Sequence, residues 1–179
     1  MFDMEPGEEF QMIQGVVQRF SADVLAENYR TFEADKALPA EVLSAYSELG
    51  LAGLELPEHL GGAALEALAK ATILEELGVG DPGAALALDG IGAALYAIAE
   101  TGGDSALRQY IVPLLGQAPI RAVLIWDDGG QRQRHRHRQG LRRVGNNYDG
   151  TESWVPSQHA DLMVILDREG VSLVDLPHD

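Results

Sequence analysis

Between Glu8 and Phe32, the apolar residues Phe10, Ile13, Val17, Phe20, Val24 and Leu25 return at three- and four-residue steps with polar residues between them. That spacing keeps one apolar stripe on a 3.6-residue period, so the stretch predicts a long amphipathic helix. Glu8 and Glu9 suit its positive N-terminal end. The pattern breaks at Asp35, Lys36 and Leu38-Pro39. A second helix, Ala40–Leu49, follows with Pro39 at its first turn, where a missing N–H costs nothing. Gly50 stops it, because only Gly takes the left-handed conformation without steric cost. Leu65, Leu68, Ala69, Thr72, Ile73, Glu76 and Leu77 predict a third helix, stopped by Gly78-Val79-Gly80-Asp81-Pro82. Asp81 is placed to cap the next helix, with Pro82 at its first position. Pro82–Thr101 is apolar nearly all round, which predicts a helix buried on most sides. A shorter fifth helix runs from Ser105 to Gly116, capped by Asp104 or Ser105 and bent or ended at Pro113.

Between the second and third helices lie Leu51, Leu54 and Leu56, too apolar for a solvated loop. They predict a buried connection clamped between helices, with Pro57 forbidding a new helix until after it and Gly61-Gly62 closing it. Beyond Gly116 the pattern changes. Ile120–Trp126, Leu162–Leu166 and Val171–Leu176 are strand candidates, Asp167-Arg168-Glu169-Gly170 reads as a hairpin turn, and Trp154-Val155 is one further short strand. Helices first and strands afterwards predict an α+β chain: an N-terminal all-α helical bundle followed by a partial antiparallel β domain. About four strands would leave at least one long edge open.

Composition narrows the function classes. Hydrophobic residues make up 46% and charged residues 23% of the 179, which is a globular balance. There are no cysteines, so disulfides and thiolate chemistry are excluded and a reducing compartment is permitted. The acidic N-terminus, without a basic or apolar run, argues against a signal peptide, and a cytoplasmic location is expected. No stretch approaches ~18 uninterrupted apolar residues, so no membrane partner is expected. The net charge of −15 disfavours nucleic acid as a partner of the whole chain. The charge is uneven, however: residues 1–119 hold 5 basic and 19 acidic residues, whereas six of the 13 basic residues fall between Arg132 and Arg143.

The connection reads Gly50-Leu51-Ala52-Gly53-Leu54-Glu55-Leu56-Pro57-Glu58-His59-Leu60-Gly61-Gly62. It resembles the "G-L-x-G-x-x-x-P-E-x-x-G-G" segment of the acyl-CoA dehydrogenase family. Glu75-Glu76-Leu77-Gly78 resembles the family's "E-E-L" before a turn. Asp104 to Gln117, with Arg108-Gln109-Tyr110 and Pro113-Leu114-Leu115, resembles "G-x-x-x-x-K-Q-x-Y-L-P-x-L". The likeness covers nearly the whole chain, and the chain covers the first half of the family. It implies that residues 1–118 form the N-terminal helical domain, that residues 119–179 begin the middle β domain, and that the C-terminal bundle lies outside the chain.

The resemblance also implies an activity: oxidation of the Cα–Cβ bond of an acyl-CoA thioester. A glutamate takes the α proton and FAD takes the β hydride. In the family that glutamate belongs to the C-terminal bundle, so no catalytic residue is assigned here. Glu75 and Glu76 match a scaffold position. The helix that follows Pro82 would line the acyl pocket, with Leu86 and Gly90 against substrate. Its interior glycines, each costing about 1 kcal/mol against Ala, otherwise serve close helix packing. Asp89, the odd residue inside that helix, is expected to be paired or at a rim.

The resemblance implies that two of the family's flavin-contacting elements fall within the chain. The family's strand ending "A-L-T-E-P", followed by "A-G-S-D", corresponds to Val123–Gly130. Asp127 stands for the acid, Trp126 replaces the Thr and Asp128 the Pro, and no Gly-Ser-Asp follows. "G-x-K-x-W-I-T-N … A-D" corresponds to Gly150-Thr151-Glu152-Ser153-Trp154-Val155-Pro156-Ser157, then Ala160-Asp161. Trp154 and Val155 would pack against the flavin, with Ser157 serving for the family's hydroxyl. The other reading of Trp154 is a core aromatic at the start of a strand.

Arg132–Arg143 admits a phosphate or nucleic-acid patch, a solvated loop, or the product of a locally altered reading frame. His135 and His137 make a poor metal site among so many cations, and no metal is expected. The readings that remain are a flavoprotein weakly active or inactive alone, or a non-catalytic subunit that associates with a chain supplying the bundle. In either case a homo-oligomer or a second chain is the expected partner.

Overall fold

The computed structural model describes residues 8–90, 92–115, 122–126, 141–145, 147–150, 160–167 and 170–175. They fall into two compact units. The first holds residues up to Gly90 together with Leu114–Pro119, and the second holds Ile91–Pro113 with Ile120–Asp179.

The first unit begins with one long helical run: α1 (Glu8–Phe20), a π-helical turn at Ser21–Leu25, and α2 (Ala26–Asp35). Its apolar stripe is buried as the spacing predicts, with Val17, Phe20, Leu25 and Phe32 in the core. The π turn was not legible in the periodicity. It lies where α4 (Ala67–Gly80) crosses. There the Ser21 hydroxyl donates to the Glu76 carbonyl at 2.7 Å. A Cβ on Gly80 would sit 2.6 Å from the Ser21 carbonyl oxygen. A wider turn on one helix and a glycine on the other let two backbones approach more closely than side chains allow. Gln14 and Gln18 bind the same pair of helices, donating to Glu76 Oε1 at 2.6 and 2.8 Å. Glu76 is thus a scaffold residue.

α3 (Ala40–Glu48) has Pro39 as its N-cap, and Gly50 follows its end at φ 67°. The connection beyond it is buried as expected, with Leu51 and Leu56 inside the core and Leu54 packed against it. A short 3-10 turn, Glu58–Leu60, carries the chain round. Backbone bonds then close the loop on itself: Ala63 N–H and Leu65 N–H to Leu54 O (3.0 and 2.9 Å), and Ala64 N–H to Leu56 O (2.8 Å). A Cβ on Gly62 would lie 2.1 Å from the Leu56 carbonyl oxygen. No side chain fits between these two strands of loop, and the second glycine of the Gly-Gly pair follows from that.

α5 (Pro82–Leu88) starts as the sequence predicts. Asp81 Oδ1 accepts from Gly83 N–H (2.7 Å) and Ala84 N–H (3.0 Å), with Pro82 at the first position. The expected single helix Pro82–Thr101 is instead two. α5 ends at Asp89, whose φ −76° and ψ 56° are non-helical, and α6 (Gly92–Ala106) begins afresh. Length and composition alone would let Pro82–Ile111 cross a membrane. Its helical course, however, breaks at Asp89 and again at Gly103 (φ 57°, ψ −157°). The Gly103 break separates the fourth and fifth helices of the sequence reading. A π turn (Leu107–Ile111) and a 3-10 turn (Val112–Leu114) finish the segment around Pro113.

The second unit contains α6 and the strands β1 (Ala122–Trp126), β2 (Arg142–Val144), β3 (Asn147–Asp149), β4 (Leu162–Asp167) and β5 (Gly170–Asp175). β4 is central in a three-stranded sheet of order β1-β4-β5. β4 and β5 form the expected antiparallel hairpin, Asp167 pairing with Gly170. Asp167 Oδ1 accepts from Gly170 N–H at 3.1 Å, which favours the tight turn. β1 pairs with β4 in parallel, Val123 opposite Met163 and Trp126 opposite Leu166, so the sheet is mixed and open rather than wholly antiparallel. The long span from β1 to β4 permits a parallel crossover, whereas the short link to β5 permits only a hairpin. β2 and β3 form a separate antiparallel pair. Tyr148 ties it to the sheet, its hydroxyl 2.9 Å from Asp167 Oδ2 and 2.8 Å from Ser172 Oγ. The core of this unit includes Val123, Ile125 and Ile165.

Candidate functional site

The sequence-predicted site residues are distributed over both units. Leu86 lies on α5 and is 61% exposed, and Gly90 is half-buried just past the end of that helix. Trp126 ends β1 and is also 61% exposed, unlike Val123 and Ile125 on the buried positions of the same strand. Asp127, Trp154, Val155 and Ser157 lie outside the described residues, as do His135, His137 and most of the Arg-rich segment. Among the described residues no group of three His, Asp or Glu side chains has the arrangement of a metal site.

A polar cluster that the sequence reading did not assemble sits inside the helical unit. Lys70 on α4 places its ammonium 2.9 Å from Asp89 Oδ1 and 3.1 Å from Glu55 Oε1. Glu55 comes from the buried connection and Asp89 from the end of α5. Asp89 is therefore paired, as expected of an acid in so apolar a stretch. Lys70 is not singled out by the pattern of the third helix, because helix periodicity ranks faces and does not name partners. The available signal was a lone cation in an acidic 119-residue segment that contains only 5 basic residues.

All three side chains are largely withdrawn from solvent, Glu55 to 5% exposure and Lys70 to 9%. Burial alone would pull the Lys70 ammonium below its usual value. Asp89 and Glu55 beside it outweigh that and hold it above. Tyr46, buried on α3, faces the same charges. Burial raises its hydroxyl to about 12, Lys70 opposes the rise, and Asp89 and Glu55 add to it. The second oxygen of Glu55, Oε2, is buried without a hydrogen-bond partner. The cluster draws the connection, α4 and the end of α5 to one point. With its carboxylates committed to an ammonium, it is not arranged to take a proton from a substrate carbon.

The model of the acyl-CoA dehydrogenase N-terminal domain matches residues 7–117. A probable medium-chain specific acyl-CoA dehydrogenase 2, mitochondrial, from Caenorhabditis briggsae is 25% identical over 159 residues, 87% of this chain and 39% of the relative. Among solved structures, a chain from work on the electron transferring flavoprotein of Acidaminococcus fermentans matches with a TM-score of 0.75 at 19% identity. That match covers 99% of this chain and 50% of the other. A glutaryl-CoA dehydrogenase from Mycobacterium smegmatis in complex with FADH2 matches with a TM-score of 0.70 at 20% identity, over 95% of this chain and 46% of its own. At such identities the solved structures establish the fold. The chain spans about two fifths of the Caenorhabditis relative's length and about half of these structures. The match to the domain model runs over more than half of the chain and includes the Gly50–Gly62 connection, the Glu75-Glu76-Leu77 stretch of α4 and the Tyr110–Pro113 segment. The chain belongs to the acyl-CoA dehydrogenase family.

Proposed function

We propose that this chain contributes the N-terminal helical domain (1–118) and the beginning of the middle β domain (119–179) to a flavin-dependent oxidation of the Cα–Cβ bond of an acyl-CoA. The observation that carries the reading is the domain-model match over residues 7–117. The scaffold supports it, since Glu76 braces α1 and α4 and the Gly50–Gly62 loop is closed by its own backbone bonds. FAD, when bound, would accept the hydride lost from the substrate's β carbon. Trp126 offers an exposed indole for its ring, and Asp127, Trp154, Val155 and Ser157 are the further contacts we assign to it. Leu86 and Gly90 are assigned to the acyl chain.

No proton-abstracting base is assigned within the chain. Among the described residues, Glu76 is engaged by two glutamines, and Glu55 and Asp89 by Lys70. The chain alone is therefore expected to turn over acyl-CoA weakly or not at all. Among the described residues β1 and β5 are the outer strands of the sheet. Open edges of this kind favour assembly, as a homo-oligomer or with a second chain. A cytoplasmic location is consistent with the absence of cysteine. The test is the visible absorption of the purified chain after addition of excess FAD and desalting, followed by titration with acyl-CoA. A retained flavin band supports the reading, and bleaching by acyl-CoA extends it. A chain that returns colourless, and stays so at concentrations where it assembles, overturns the assignment of flavin contacts.

A further inference from the structure

The Lys70 cluster contains one cation and two anions, and one of its four carboxylate oxygens, Glu55 Oε2, is buried with nothing to bond. A buried charged acceptor left unpaired is costly, and native interiors pair such atoms with protein or with ordered solvent. Lys70 has three N–H groups to offer. Its contacts at 2.9 and 3.1 Å employ two of them and leave the third over. The unfilled acceptor belongs to the carboxylate whose other oxygen lies 3.1 Å from that ammonium.

The charges decide what fits. An anion would meet two carboxylates. A metal or ammonium cation would sit against the Lys70 ammonium already in place. A neutral molecule that both donates and accepts hydrogen bonds meets neither repulsion, and a water so held finds the two to four polar partners that internal waters require. We propose that Glu55 Oε2 and Lys70 Nζ together form a binding site for a single internal water molecule, which completes the joint between the Leu51–Leu56 connection and the end of α5.

The experiment is a high-resolution crystal structure of the full chain, grown once in ordinary salt and once with rubidium chloride. The expected result is one isolated oxygen peak ~2.6–3.2 Å from Glu55 Oε2 and within reach of Lys70 Nζ, with no anomalous signal from rubidium. An anomalous peak at the site would make it a cation site and overturn the proposal. So would the absence of any peak, with Oε2 bonded to a protein group. Glu55→Leu removes the acceptor, and its structure should lack the peak. Should that variant not fold, water-selective NMR on the unsubstituted chain gives the second reading. A long-lived water cross-relaxing with the Lys70 side chain is expected, and its absence counts against the site.

Discussion

Removing the Lys70 ammonium while keeping the volume of its stem isolates the energetics of the buried cluster. Lys70→Met does this. It leaves Glu55 and Asp89, 5% and 17% exposed, without their shared cation. Breaking a buried pair from one side costs about 3–5 kcal/mol, because the remaining charge stays desolvated and uncompensated. Here two carboxylates are stranded together, so the upper part of that range applies. Set against a typical folding stability of about 5–15 kcal/mol, this is a large fraction. For a chain of this size it corresponds to a fall in melting temperature of roughly 8–20 °C. Thermal and urea unfolding followed by far-UV circular dichroism reads the helical unit directly. The variant Lys70→Met/Glu55→Gln/Asp89→Asn removes all three charges and should recover most of the loss, since a buried ion pair is worth little against a neutral replacement. A loss under ~1 kcal/mol in the single variant, the value of a solvent-screened surface pair, would refute the reasoning. So would a triple variant as unstable as the single one.

Alkali should weaken the same region. Tyr46 and Lys70 both hold their protons more tightly folded than unfolded. The contribution of Tyr46 is therefore complete below about pH 10 and is lost as pH rises from the ordinary tyrosine value of 10.0 towards about 12, and that of Lys70 is lost at still higher pH. For Tyr46 alone a shift of that size corresponds to ~3 kcal/mol, and Tyr46→Phe should flatten the urea midpoint between pH 9 and 11.5 at those magnitudes. Gly62→Ala forces a Cβ to within 2.1 Å of the Leu56 carbonyl oxygen. It should cost ~3 kcal/mol, the high end for overpacking, because backbone cannot swing aside as a side chain can; an unchanged melting temperature would contradict this. Asp81→Ala removes the acceptor for Gly83 and Ala84 N–H and should cost ~1 kcal/mol, with Asp81→Ser nearly neutral by the same melts.

The residues that make local geometry were readable in order along the chain. Asp81-Pro82 caps α5, Gly50 ends the turn after α3, and the apolar stripe from Phe10 to Leu25 faces the core. Each is a property of a few neighbouring residues, set by backbone sterics and helical period. The burial of Leu51 and Leu56 was readable for a similar reason, since a loop that apolar has nowhere else to go. The motifs that carried the family likeness were local as well, and the domain match bears them out. Of the candidate site, Trp126 emerges at an exposed strand end, whereas Asp127, Trp154, Val155 and Ser157 fall outside the described residues.

What required the tertiary structure was partnership at a distance. Nothing in the spacing of Glu55, Lys70 and Asp89 announces that they meet, because 15 and 19 residues separate them and three different elements carry them. The same holds for Glu76 with Gln14 and Gln18, for the π turn at Ser21 opposite Gly80, and for Tyr148 with Asp167 and Ser172. The end of α5 at Asp89 shows the principle most plainly. By composition Pro82–Thr101 is one apolar helix, yet α5 ends at Asp89, the residue whose carboxylate meets Lys70. Local propensity sets which elements a sequence can form. The desolvation cost of buried charge, felt only when distant elements pack, decides which of their polar groups must be paired.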